Sequence, residues 1–164
     1  MDKITTDSPK RLIVADAVDD LSRQLFGDKY DYEMAVVQYD PFEYFEKFEK
    51  PTWVTILGDE SSEIFDMNGQ RGTLQNEVLI NVLVTAKVPT KHLAHTIPYL
   101  TDIETIKNEL IGSTIDHKGH AICGDVQNEN HPVWSAEHDV EIVGGDSVFR
   151  ARFSIVLRIY DDRH

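Results

Sequence analysis

The run TLQNEVLINVLVTAK, from Thr73 to Lys87, is the sequence feature that most limits how this chain can fold. It reads as one strand, although most strands have only about five or six residues. Apolar residues on both faces of a strand are typical of a central strand covered on both sides. We expect a helix to cover one face, with a neighbouring subunit as a candidate cover for the second. The two faces consist of Leu74, Val78, Ile80, Val82 and Val84, and of Gln75, Glu77, Leu79, Asn81, Leu83 and Thr85.

Length and charge limit the class of protein. A chain of 164 residues suits one domain that can build its own core. We expect a flexible N-terminus at 1–8, an α+β core at 9–160 and a C-terminal tail at 161–164. The net charge of −13 argues against general binding to a phosphate backbone, because Lys and Arg provide that affinity. It suits an ordinary acidic cytosolic domain, a solubilised subunit, or a surface past which DNA moves without sticking.

The cysteine content and the N-terminus argue against secreted and membrane proteins. Cys123 is the single cysteine and cannot form an intrachain disulfide, which fits a reducing compartment or a virion assembled in one. The start, MDKITTDSPKR, lacks the apolar run of a signal peptide. Nowhere do about 18 apolar residues run together. We therefore expect a soluble protein with no membrane partner.

The segment near the N-terminus has the pattern of an amphipathic helix. Ser8 is a candidate N-cap, and Pro9 suits the first helical position, where its missing N–H costs nothing. Apolar residues then recur at helical spacing, and Gly27 offers a stop. We expect a helix from about Pro9 to Phe26.

Two further segments have helical signals. The sequence TDIE, from Thr101 to Glu104, is a capping box ahead of an apolar run that Gly112 closes. The segment DPFEYFEKFEK, residues 40–50, has phenylalanines three apart, which predicts one or two helical turns packed in the core.

The other strands are predicted from β-rich runs between polar segments. EMAVVQY (33–39) and TWVTILG (52–58) read as strands, and DESSEIFDMNGQRG (59–72) reads as a polar loop with a tight turn at Asn68-Gly69. Residues 117–131 read as a loop with one short strand, HAICGDV. The predicted fold class is α+β: a mixed, mostly antiparallel sheet with long strands and two main helices packed on one face.

Ligand-type side chains lie close together in HKGHAICGD, with HLAH upstream. They are His117, His120, Cys123 and Asp125, with His92 and His95. Tight structural zinc sites usually have paired short spacings across a turn. If the segment from His120 to Cys123 is extended, the two side chains point to opposite faces, which works against chelation. We expect no metal, no cofactor and a buried, structural Cys123.

Other chemical motifs are absent from the sequence. GDESSE (58–63) gathers acidic residues but lacks the glycine and the alternating ligands of a calcium loop, so we expect a solvated loop. There is no phosphate-binding glycine loop, no GxSxG and no HExxH. We expect no catalytic residues and no enzymatic activity.

The C-terminal segment reads as a hairpin. Gly145-Asp146 suits the centre of a two-residue turn. That register pairs Glu141 with Arg150 and Asp139 with Arg152 on one face, and each such pair stabilises a sheet by roughly 0.2–1 kcal/mol. The predicted pairs on the other face are Ile142 with Phe149, Val140 with Ala151 and His138 with Phe153.

The alternation continues beyond the paired part of the hairpin. The core side is predicted to carry Phe153, Ile155, Leu157 and Ile159, and the outward side Ser154, Val156, Arg158 and Tyr160. Glu137 is the last acidic residue of the shorter strand, so Arg158 lies beyond its reach. We expect Arg158 to meet an acidic neighbour, in the same subunit or in the next one.

In the order and residue pattern of these segments, the chain resembles the tail terminator (tail-completion) proteins of long-tailed bacteriophages. The resemblance runs from about Ser8 to Tyr160 and rests on five segments. They are SPKRLIVADAVDDLSRQLFG, PTWVTILGDESSEIFDMNGQRG, TLQNEVLINVLVTAK, DIETIKNELIG and VEIVGGDSVFRARFSIVLRIY. Residues 40–50 and 117–131 are longer than that pattern.

The resemblance implies a structural virion protein of the tail and neck, assembled in the bacterial cytoplasm. Its copies would form a ring, usually a hexamer, that caps the tail tube, ends its polymerisation and joins it to the head connector or adaptor, with DNA only as passing cargo. Candidate interface residues are Arg158, Tyr160, Leu79 and Leu83. The rivals are another neck or baseplate adaptor protein, and a small metal-dependent enzyme that uses His117, His120 and Cys123.

Overall fold

The computed structural model of the chain describes six stretches of sequence. They are residues 4–35, 50–64, 74–90, 92–124, 134–143 and 145–161, with the backbone alone described at 59–64, 74–75, 143 and 161. The helical turns expected at 40–49 and the tight turn expected at Asn68-Gly69 lie outside these residues.

The described residues contain two α-helices and seven strands. In chain order they are α1 (Lys10–Phe26), β1 (Asp31–Ala35), β2 (Thr52–Ile64), β3 (Leu74–Val88), α2 (Ile97–Leu110), β4 (Thr114–His117), β5 (His120–Gly124), β6 (Trp134–Val143) and β7 (Asp146–Asp161). Short 3-10 turns follow α1 at Gly27–Lys29 and precede α2 at Leu93–His95. The predicted α+β class is confirmed.

The strands form one mixed sheet in the order β1-β2-β3-β7-β5-β4. Only the β1–β2 pair is parallel among the strand pairs of this sheet, and the others are antiparallel. β3 pairs with β2 on one side and, along its whole length, with β7 on the other. The second edge of β7 is shared, because β6 pairs with its first part and β5 with its last.

Both helices pack on one face of the sheet, as predicted. Their buried side chains join the inward side chains of the strands in a single core cluster. Trp53 lies at its centre, fully buried, with ring centroids 5.0 Å from Phe26, 5.1 Å from Tyr30 and 5.7 Å from Phe153. Burial of each large apolar side chain stabilises the fold by roughly 1.5–3 kcal/mol.

The predicted core side of β7 is confirmed for Phe153, Ile155, Leu157 and Ile159, each no more than 1% exposed.

The helix beginnings differ from the sequence prediction. Pro9 is the N-cap of α1, and the Ser8 hydroxyl accepts a hydrogen bond from the Thr5 amide at 2.8 Å instead of capping the helix. α2 begins at Ile97, one turn before the expected capping box, so Thr101 lies inside the helix. Pro98 explains the early start, since its fixed φ suits the first helical turn.

β2 continues beyond Gly58, where the sequence predicted a loop. The segment DESSEI stays paired with β3 as far as Ile64, after a register irregularity between Leu57 and Glu60. β3 is long enough to pair with it, and such pairing outweighs the polar character of the segment. GDESSE is therefore part of a strand and not a solvated loop.

β4 and β5 form a hairpin where only one strand was predicted. Its turn residues Lys118 and Gly119 have φ values of 49° and 81°. Positive φ at both central positions is typical of the type I′ turn that matches strand twist. β4 was missed because it is short, polar and half-exposed.

Candidate interaction face

We call the side of the sheet opposite α1 and α2 the second face. Its part near β1 and β2 is buried, because Ala35, Val54, Ile56 and Leu83 form a separate apolar cluster there. The prediction that β3 is covered on both sides is confirmed at Leu83, which is only 4% exposed. The same burial means that Leu83 is not accessible as an interface residue.

The second face changes character along β3 and β7, where the side chains are half-buried. We call this region the central patch. It consists of Glu77, Leu79, Asn81, Ser154, Val156, Arg158 and Tyr160. Leu79 lies directly opposite Val156, and the Ser154 hydroxyl donates to Asn81 Oδ1. The patch therefore combines an apolar pair with polar groups that already bond to each other.

Arg158 bonds to an acidic neighbour in the same chain. Glu77 lies directly opposite it on β3, and both Arg158 Nε and Nη2 are 3.2 Å from Glu77 Oε1. The expectation of an acidic partner is confirmed, within the subunit. Glu77 was not identified from the sequence, because 81 residues separate the two and no local pattern sets their register.

The register of the β6–β7 hairpin differs by two residues from the predicted one. Asp139 lies opposite Arg150, Glu137 opposite Arg152, and Glu141 opposite Val148. On the helix side the observed pairs are Val140 with Phe149, His138 with Ala151 and Ile142 with Ser147. Val143 pairs with Asp146, so Asp146 belongs to the strand and not to the turn. Moving the turn by one residue shifts every pair by two, which keeps each side chain on its predicted face.

Arg150 contacts both Asp139 and Glu141, whereas the sequence predicted a different arginine partner for each of them. Its Nη2 lies 2.9 Å from Asp139 Oδ2 and 2.9 Å from Glu141 Oε1. The hydrogen bond to Asp139 raises the pKa of the guanidinium. The predicted Glu141–Arg150 contact therefore exists as a diagonal pair, whereas the predicted Asp139–Arg152 pair was wrong.

Arg152 has a different environment. Within the described residues it makes no ion pair, and it lies opposite Leu83 on β3 and Glu137 on β6. A shallow cavity of about 250 Å³ opens beside it. The residues around that cavity are Ser135, Ala136, Glu137, Arg152 and Ser154.

Cys123 lies on the second face and is half-buried, whereas the sequence predicted that it would be fully buried. Its Sγ is 3.9 Å from the Tyr160 hydroxyl. Burial is the main cause that raises the pKa of Tyr160, and the contact with Cys123 raises it further. His120 lies on the opposite side of β5, in the core, where Nε2 is 3.0 Å from the Thr6 carbonyl and 3.4 Å from Lys10 Nζ. The prediction that His120 and Cys123 point to opposite faces is confirmed.

The other candidate ligands make separate contacts. His117 Nε2 lies 2.8 Å from Asp16 Oδ2. His92 Nδ1 accepts from the Ala94 amide, and His95 Nδ1 lies 2.8 Å from the Thr90 hydroxyl. In the part of the chain that the structure describes, no three His, Cys, Asp or Glu side chains converge as a metal site. Asp125 lies outside that part.

The chain matches no protein-family model, and no curated protein matches it. Neither helix in the described stretches has the length and apolar content needed to cross a bilayer. A functional proposal must therefore rest on the fold and on the chemistry of the second face.

Proposed function

We propose that this chain is a tail terminator subunit of a long-tailed bacteriophage. Copies of it form a ring, hexameric in the proteins it resembles, that caps the tail tube, stops its growth and meets the head connector. The proposal rests mainly on the central patch, a half-buried sheet surface opposite both helices.

The arrangement of elements supports this proposal. An N-terminal helix, the long strands β2 and β3, a second helix and a closing hairpin that contains the long strand β7 occur in the order that the resemblance requires. Strands of 15 and 16 residues, at about 3.3 Å per residue, extend for roughly 50 Å. They provide a long surface along which neighbouring copies can pack.

The chemistry of the central patch suits contact between subunits. Leu79 and Val156 offer apolar surface, while Arg158 and Tyr160 offer polar groups at its margin. Interfaces of this kind have an apolar centre and a polar rim. Leu83 is left out of the proposed interface because it is already buried in its own subunit.

The net charge of −13 suits a ring through which DNA passes. Acidic surfaces repel the phosphate backbone and so disfavour binding of the DNA that crosses the lumen. The acidity also suits another neck or baseplate adaptor, which remains the main alternative.

The alternative hypothesis of a small metal-dependent enzyme gains no support from the described geometry. A metal-dependent site needs its ligand side chains to converge on one ion. Cys123 and His120 point to opposite faces of β5, and His117 contacts Asp16.

A tube-growth assay tests the function. The purified chain is added to polymerising tail tube protein from the same phage, and tube lengths are measured by electron microscopy. We expect growth to stop. Val156→Asp should weaken this arrest, because a carboxylate would be placed at the apolar centre of the ring contact.

The matched control is Leu25→Asp, since Leu25 is an exposed apolar residue on α1 and away from the central patch. This variant should stop tube growth as effectively as the unmodified protein does. Thermal unfolding of both variants separates loss of assembly from loss of folding. Tubes that grow to the same length with and without the original chain would refute the proposal.

A further inference from the structure

Within the described part of the chain, β6 has one edge available for a further strand. It is ten residues long and, among the described strands, pairs only with β7. The side chains from Ser135 to Asp139 are exposed on both sides of the strand. An edge strand of this kind presents a row of unpaired N–H and C=O groups to an incoming chain.

Large exposed apolar residues lie near one end of β6, on the turn that precedes α2 and at the start of α2. Ile142 and Leu93 are each 63% exposed, and Ile97 is 49% exposed. Ile142 and Val88 both lie opposite Ser147, and the turn that carries Leu93 follows the end of β3.

Aromatic packing locates α2 over the same end. Tyr99 stacks on Phe149 with centroids 5.4 Å apart, and Phe149 lies opposite Val140, two residues from Ile142. The first turn of α2, which contains Ile97, therefore lies beside this end of β6. Large exposed apolar residues that gather in one place mark an interaction site.

The other side of β6 is acidic. Glu137, Asp139 and Glu141 alternate along the second face. The side chains of Asp139 and Glu141 are 48% and 44% exposed, compared with 31% for the Arg150 side chain that bonds to both. An added strand would therefore meet an acidic row on one side and apolar side chains on the other.

The described edge strands of a second copy are poor occupants of that edge. The outer strands β1 and β4 carry Asp31, Glu33 and Asp116 on the second face and contain no lysine or arginine. Pairing either of them with β6, or β6 with itself, would bring like charges together, which destabilises a sheet.

We propose that β6 binds an extended strand of a different protein, in which basic side chains alternate with apolar ones. The backbone of that strand completes the ladder beyond β6. Its basic side chains lie beside Glu137, Asp139 and Glu141, and its apolar ones contact Ile142 and the exposed apolar residues before and at the start of α2. This is β-strand addition, in which the ladder supplies affinity and alternate side chains supply specificity. The inference does not require that the chain form a ring.

A designed peptide tests the inference on the full chain. The probe is a short synthetic peptide of alternating lysine and valine, and the comparison peptide carries glutamate in place of lysine. Titration of isotope-labelled protein, followed by amide NMR, should shift the signals of residues 134–143 with the lysine peptide and not with the glutamate peptide. Amide exchange in that strand should become slower.

Matched variants locate the contact. Ile142→Ser should weaken binding of the lysine peptide about tenfold, because one buried apolar contact is lost. Leu25→Ser removes an exposed apolar residue from α1 and should leave binding unchanged. The inference is overturned if the lysine peptide does not bind, if both peptides bind equally, if Ile142→Ser has no effect, or if β6 signals shift with protein concentration alone.

Discussion

The three arginines of β7 share a face but differ in their partners. Alternation along the strand was enough to predict the face of Arg150, Arg152 and Arg158. The partners depend on register: a turn at Gly145-Asp146 gives the predicted register, whereas the observed register pairs Val143 with Asp146. A choice between them moves each pair by two positions without changing any face, so patterning cannot decide it.

A double-mutant cycle distinguishes the two registers. Arg150→Gln and Asp139→Asn should show a coupling free energy of about 0.2–1 kcal/mol, because the two side chains are in contact. The corresponding cycle between Arg152 and Asp139 should give nearly zero. Urea unfolding of the single and double variants measures both values, and a larger coupling for Arg152 would contradict the structure.

One buried and three half-buried tyrosines predict that the stability of the fold depends on pH in the alkaline range. Burial raises the pKa of Tyr32 to about 12. Burial, together with a 2.6 Å hydrogen bond from its hydroxyl to Asp102, raises the pKa of Tyr30 still further above its ordinary value. Burial also raises the pKa of Tyr99 and Tyr160. A raised folded pKa stabilises the fold below the ordinary value near 10 and ceases to do so as the pH rises through the folded value.

Spectrophotometric titration checks this prediction. At about pH 11, well above the ordinary value for tyrosine, the folded chain should show clearly less phenolate absorbance than the urea-unfolded chain. The free energy of unfolding should fall as the pH rises beyond 10. Superimposable titration curves for the folded and unfolded chains would contradict the burial of these rings.

Among the elements, the long ones were predictable, whereas the short strand β4 and the extension of β2 were not. α1, β3 and β7 carry enough periodic residues to fix their type and most of their extent. β4 has four residues and no apolar alternation, so only its pairing with β5 defines it. The extension of β2 beyond Gly58 likewise depends on the partner strand, which local propensity does not report.

One glycine on β5 is required by the close approach of α2. A Cβ at Gly124 would clash with the Leu110 carbonyl oxygen at the end of the helix. The Gly112 amide donates to the Gly124 carbonyl at 3.0 Å, which holds the two elements together. Gly124→Ala should therefore lower the free energy of unfolding by about 1–3 kcal/mol.

Thr114→Ala is the matched control for this prediction. Thr114 is exposed at the start of β4, so its replacement should change stability by less than about 0.5 kcal/mol. Urea denaturation measures both variants. Equal stabilities of the two would argue against the packing of α2 on β5.

At the scale of the whole molecule, the fold class and the placement of both helices on one face followed from the sequence. The division of the second face into a buried part and the central patch did not. Apolar residues at Leu79 and Leu83 look equivalent in the sequence, yet only Leu83 belongs to the buried cluster. The contact between Glu77 and Arg158 could not be predicted from the sequence either, because it depends on β3 and β7 being neighbours in the sheet.

Cryo-electron microscopy of the phage particle tests the central claim most directly. A tag fused to the chain, or a map detailed enough to fit the fold, would locate the subunit. We expect a closed ring of copies at the head end of the tail tube, with neighbouring copies in contact through the central patch. A position in the baseplate, or the absence of the chain from the particle, would contradict it.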